Sequence, residues 1–196
     1  MPSQGWSQMI VTQRTAGTSF ASYTTAKTVI NQQDLYSFPP NYFQLGTKLR
    51  ITVHMAISNR VTGPDTTTFQ VMLGSVVVWT SGAINLTTTA NTSLPAKLVV
   101  DLTCQLANTG VGGVVAKFMG QGVLTGIMFN IASGQANNAN NQTTLTVPLT
   151  LPALGTAFDG TISQILDFWV AQSFSGSGNG IQVAQYDVEV FKDGQN

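Results

Sequence analysis

Apolar and polar residues alternate with a period of two along most of this chain. Leu49, Ile51, Val53, Met55 and Ile57 point one way from a strand, while Arg50, Thr52, His54, Ala56 and Ser58 point the other. The turn residues Thr62-Gly63-Pro64-Asp65 follow. Phe69, Val71 and Leu73 begin a second strand, and Ser75–Thr80 a third, with Gly74 between them as a bulge or a turn. Lys97–Leu106 alternates cleanly. Further strands are expected over Val114–Met119, Gly122–Ile131, Thr143–Leu151, Ser163–Ser173 and Gly180–Phe191. The last changes phase near Ala184: Ile181 and Val183 share one face, Tyr186, Val188 and Val190 the other. A bulge there restores a common inward face.

The pattern predicts eight or nine strands with closely spaced turns. No long window combines a helical apolar period with caps and good helix formers. Strands of this kind bury one side each by packing two sheets face to face. The expected fold is therefore all-β, a β-sandwich of the jelly-roll kind. Residues 29–196 form its single domain. Residues 1–28, rich in Ser, Thr and Gln, read as an N-terminal arm with one or two weak edge strands. Trp6, Met9-Ile10-Val11 and Phe20 are its isolated apolar anchors. Gly134–Asn141, an Asn-rich run, reads as an exposed loop.

Composition changes the picture from a generic sandwich to an unusual one. Charged residues make up 8% of the chain, against roughly 25% in ordinary soluble domains. Thr, Ser, Asn, Gln and Gly stand in their place. Such a surface can hydrogen-bond a neighbour without stripping water from ions, which suits a structural or assembly protein. The formal net charge is zero, so there is no basic field for nucleic acid and no polybasic stretch for a membrane surface. Gly110–Ala132 is the most apolar stretch. Lys117, Gln121, Asn130 and its glycines interrupt it, whereas a spanning helix needs about 20 mostly apolar residues. The N-terminus shows neither a basic nor an apolar signal-peptide region, consistent with maturation in a reducing cytoplasm.

The inventory for catalysis is thin. Cys104, the one cysteine, lies on the apolar phase of its strand and reads as a small buried hydrophobe. His54, the one histidine, lies on a polar phase, opposite to what a Cys-His or zinc site would require. No Gly-x-Ser-x-Gly elbow accompanies it. Asp159 with Asp167, and Asp187 with Glu189, are the available carboxylate pairs. Glycoside hydrolysis would need such a pair about 5 to 9.5 Å apart, but turn-capping and solvated roles suit these residues better. The glycine clusters lack a phosphate-binding context. No catalytic, metal or cofactor site is expected.

Several segments, read in order, resemble a family of tailed-bacteriophage virion proteins. Phe38-Pro39-Pro40-Asn41-Tyr42-Phe43 and Leu45-Gly46-Thr47-Lys48-Leu49-Arg50-Ile51 look like the entry to that family's first long strand. Phe69–Ser75, Asp101-Leu102-Thr103-Cys104 and Met119-Gly120-Gln121-Gly122 look like its middle segments. Pro152–Asp159 and Ile181–Tyr186 complete the order. These are packing and turn signatures. The family is similar to capsid decoration, or cement, proteins with a jelly-roll core. The resemblance implies a homotrimer seated on the major capsid protein at subunit junctions, clamping the virion shell. The candidate capsid or subunit contacts are Trp6, Ile10 and Phe20 in the arm, and the outward-phase charges Arg50, Lys97 and Asp101. If those charges pair across subunits, salt should weaken assembly. Two other readings stand beside this one. A carbohydrate- or receptor-binding jelly roll of a phage tail or spike would use Tyr42, Trp79, Trp169 and Tyr186 as an aromatic platform. A shell or tail subunit is the third.

Overall fold

A strand with one apolar side folds only where a second sheet covers that side. The computed structural model, which describes residues 5–13, 15–17, 19–21, 24–59, 65–107, 115–130, 142–174 and 178–192, supplies two such antiparallel sheets packed face to face. The expected turn at 62–64, the Asn-rich loop and the glycine cluster at 110–113 lie outside the described residues.

In chain order the strands are β1 (Trp6–Thr12), β2 (Phe20–Ala21), β3 (Lys27–Thr28), β4 (Tyr36–Phe38), β5 (Lys48–Asn59), β6 (Thr66–Leu73), β7 (Val76–Thr80), β8 (Ile84–Leu86), β9 (Asn91–Leu106), β10 (Lys117–Gly126), β11 (Phe129–Asn130), β12 (Thr143–Val147), β13 (Gln164–Gln172) and β14 (Gly180–Lys192). Sheet I has the order β1-β14-β5-β9-β10-β12, with β2 also on β14. Sheet II has the order β11-β8-β6-β13-β3, with β4 on β13 and β7 on β6. Nine of these strands have five or more residues; eight of them fall where the period predicted strands, and the ninth, β1, lies in the expected arm. The other five have only two or three.

The pairing has the logic of a doubled ribbon. Strands β5, β6, β8 and β9 run outward, and β10, β11, β13 and β14 return beside them. The pairs are β5 with β14, β6 with β13, β8 with β11 and β9 with β10. The ribbon changes sheet between β5 and β6 and again between β8 and β9.

Inward positions follow the predicted phases. Leu49, Ile51, Val53, Met55 and Ile57 of β5 are buried, as are Leu98, Val100, Leu102 and Cys104 of β9. The β14 register shifts between Val183 and Gln185. That shift turns Ile181, Val183, Tyr186, Val188 and Val190 all inward, the bulge expected near Ala184. Gly74 makes a tight turn: at φ +57° it links β6 to β7 in the left-handed region that glycine tolerates.

Two expectations change. Strand β10 runs unbroken from Lys117 to Gly126, so the predicted interruption at Gly120 does not occur. The strand expected over Thr143–Leu151 stops at Val147, because Pro148 has no N–H to continue a ladder. The N-terminal segment is also stitched into the sandwich. Strand β1 pairs with β14, β2 with the start of β14, and β3 with β13. Its anchors explain this, since Val11 is buried and Ile10 and Phe20 pack against the core.

A cluster of rings closes one side of the core. Phe118 and Phe158 stack at 5.6 Å, and Phe43 meets both edge-on at 5.1 and 5.6 Å. Phe158 reaches this cluster from the connection that leaves β12 and crosses toward sheet II.

Candidate interaction surface

That crossing connection carries a run of exposed leucines. Its backbone is tied down on the inner side: Phe158 and Ala116 exchange two N–H···O bonds of 2.9 and 3.1 Å, and the Gly155 N–H donates to the Phe118 carbonyl at 2.8 Å. Gly155 lies against the Val78 carbonyl oxygen so closely that a Cβ would collide with it. The connection therefore hugs the sandwich, and its side chains turn outward. Leu149 and Leu154 are about half exposed, and Leu151 is 89% exposed.

The outer face of sheet I continues this surface. Val123 of β10 is 47% exposed and sits opposite Val99 of β9. Met119 sits opposite Thr103, and Thr146 of β12 opposite Val123. With Pro152 these residues line a shallow groove of about 420 Å³. The surface from Val99 to Leu154 carries almost no charge. Asp101, paired with Arg50, is the one charged residue lining the groove, and Lys117 lies at the start of β10. Burying the apolar part of this surface removes area from water, worth roughly 25 cal/mol per Å².

Of the six sequence-predicted contacts, Asp101 lines this groove and the other five lie elsewhere. Trp6 is exposed on β1, and the Lys192 ammonium lies 6.0 Å from its ring centre. Ile10 and Phe20 are half-buried and pack against this chain's own core. Arg50 and Asp101 face each other across β5 and β9 and form a two-pronged pair, Nε to Oδ1 at 2.7 Å and Nη2 to Oδ2 at 3.3 Å. The sequence reading left open whether these charges pair across subunits; within the chain they pair with each other. Register brings the two side chains together within one chain. The Asp101 hydrogen bond and charge hold the Arg50 guanidinium above its usual range, with Glu189 adding to the effect. Lys97 is exposed, opposite His54 on one side and Thr125 on the other.

The groups with chemical potential are locally engaged. Cys104 is buried, donates to the Leu106 carbonyl at 3.1 Å, and is pushed up to about 11 by burial. His54 lies on the opposite face of the same sheet. The Asp159 carboxylate accepts the Thr161 N–H and hydroxyl at 2.9 and 2.6 Å, which lowers its pKa. Asp167 accepts from the Thr28 hydroxyl, the Phe168 N–H and the Trp169 indole. Desolvation nevertheless raises it above the usual carboxylate range. Among the described residues no cluster of three or more His, Cys, Asp or Glu could hold a metal ion. No helix among them is long and apolar enough to cross a membrane.

The aromatic platform is not assembled as its reading required. Trp79 and Tyr186 are buried. Half-buried Tyr42 packs on Phe38 and Phe43 beneath the Lys192 ammonium, 3.7 Å from its ring centre. Half-buried Trp169 lies on the other sheet, bonded to Asp167.

The sequence reading overlooked Leu149, Leu151, Leu154 and Val123. Their signal was present in Pro148-Leu149-Thr150-Leu151-Pro152, where two prolines bracket leucines that no ladder can hold. Neither a protein-family model nor a curated protein matches this chain. The fold and the surface define a class: an all-β, two-sheet sandwich, poor in charge, with a neutral apolar face open to solvent.

Proposed function

We propose that this chain is a structural virion protein, a capsid decoration or cement protein. It binds the outer surface of the major capsid protein at subunit junctions as a homotrimer and stabilises the shell. The observation that carries this reading is the charge-poor, apolar-rich surface running from Val99 and Val123 over Pro152 to Leu151 and Leu154, whose groove has one charged lining residue, Asp101, held by Arg50. Large exposed apolar patches mark sites that partners cover. The ordered segments from Phe38 to Tyr186 that resemble the cement family support the same reading.

Cementing proceeds by contact alone and calls for no reaction and no cofactor. Each subunit makes a modest contact with the shell. In a trimer the second and third contacts form at high effective concentration, raising avidity by roughly 10²- to 10⁴-fold over one site. A neutral surface suits repeated docking, because its hydroxyls and amides exchange water bonds for protein bonds at little cost.

The test uses particles of the phage that encodes the chain. Quantitative mass spectrometry of purified heads is expected to find many copies, in a multiple set by capsid symmetry. Rebinding to stripped heads should fall at least about tenfold, or 1.4 kcal/mol, for Val123→Asp or Leu151→Asp. Absence from heads, or confinement to tails, overturns the proposal.

A further inference from the structure

Among the described residues sheet I ends in two open edges, and none of those residues covers either. Strand β12 (Thr143-Thr144-Leu145-Thr146-Val147) pairs only with β10, and β1 (Trp6-Ser7-Gln8-Met9-Ile10-Val11-Thr12) only with β14, among the described residues. An open edge presents unpaired N–H and C=O groups. Proteins that stay single usually blunt such edges with charge, proline or a cover. Neither strand contains a charged residue or a proline. Strand β1 has one bulge, between Met9 and Val11, and β12 has none.

We infer that these edges are the two halves of a head-to-tail contact between copies of this chain, with β12 of one copy adding to β1 of the next. Strand direction favours it. Every step along β1-β14-β5-β9-β10-β12 is antiparallel, so β1 and β12 run in opposite senses. A second copy in the same orientation therefore offers β12 an antiparallel partner. The lengths also match, five residues against seven. Charge permits it, because both edges are neutral and the whole chain has zero formal net charge. A two-fold contact between two β12 strands would leave both β1 edges open, whereas a head-to-tail ring covers every edge. The inference deepens the proposed trimer and rests on its self-association. It assigns the subunit contact to the edges of sheet I and leaves the neutral face for the shell.

Two variants block one edge each at exposed positions: Thr144→Lys with Thr146→Lys on β12, and Ser7→Lys with Met9→Lys on β1. Circular dichroism and thermal melting confirm that each still folds. Sedimentation equilibrium is then run on the wild type, on each variant and on their equimolar mixture. The wild type is expected as a closed oligomer and each variant at the single-chain mass of 20.8 kDa. The mixture should give a one-to-one pair, because one intact β1 and one intact β12 remain to form a single junction. Wild-type mass in either variant overturns the inference. So does a mixture that stays monomeric, or a monomeric wild type. The capsid reading is scored separately by copies per head, so edge pairing can fail while that reading stands.

Discussion

The outer face of sheet I has two halves that follow opposite rules. Around β5, β9 and β14 it carries Lys48, Arg50, Lys97, Asp101, Asp187 and Glu189, six of the chain's sixteen charged residues. Around β10, β12 and the leucine-bearing connection the charged residues are Lys117 and, beside the inward Phe158, Asp159, while Met119, Val123, Leu149, Leu151 and Leu154 are presented. The charged half lies on the central, best-paired strands. The Arg50–Asp101 pair, with side chains about half exposed, contributes no more than about 1 kcal/mol. The neutral half borders an open edge. Contact there is driven by apolar area and completed by hydroxyls, so a chain so poor in charge leaves itself one surface that is cheap to dry.

The sharpest contrast lies within one connection. Phe158→Ala removes a ring stacked in the core and should cost about 3–5 kcal/mol, read as a lower urea midpoint. Leu151→Ala, a few residues away at 89% exposure, should change stability by no more than about 0.5 kcal/mol while weakening capsid binding. Equal losses of stability would erase the distinction between anchor and crest. Gly155→Ala comes next. Its Cβ meets the Val78 carbonyl, and displacing the connection should cost about 1–3 kcal/mol, together with impaired capsid binding.

Smaller effects report on the inward side. The native Cys104 thiol titrates near 11, above its ordinary value of 9.0. Below about 9 the group is neutral in both states and its contribution is whole. As pH rises through that window the unfolded chain releases its proton first, so stability falls. Tyr186, also raised by burial, acts in the same direction. The slope of stability against pH between 9 and 11 should therefore flatten in Cys104→Ala, and an unchanged slope would refute the assignment. Smallest of all is Asp101→Asn, expected to cost less than about 1 kcal/mol. Because Arg50 and Asp101 pair within the chain, oligomer mass should not change between about 0.05 and 0.5 M salt, where exposed charges become largely screened. Dissociation over that range would return these charges to the interface.

Much of the inward side was legible because burial follows strand phase, a local property. The alternation in β5 and β9, and the phase change that places a bulge near Ala184, required only neighbouring residues. Strands of two or three residues, such as β3, β4 and β8, were not legible. They qualify as strands because another backbone passes alongside, and nothing in Lys27-Thr28 or Ile84-Asn85-Leu86 announces the partner. The same limit applied to the contacts. Arg50 and Asp101 are both outward by phase, but which strand lies beside which is a matter of register.

The sequence by itself determined an all-β sandwich, its inward residues and its poverty of charge, since period two and composition are written residue by residue. Only the tertiary structure decided that Ile10 and Phe20 serve this chain's own core, that Arg50 meets Asp101, and that the leucines after Val147 face outward beside an open edge. Those outcomes depend on pairing between strands far apart in the chain, where a shift of one residue exchanges the buried face for the exposed one.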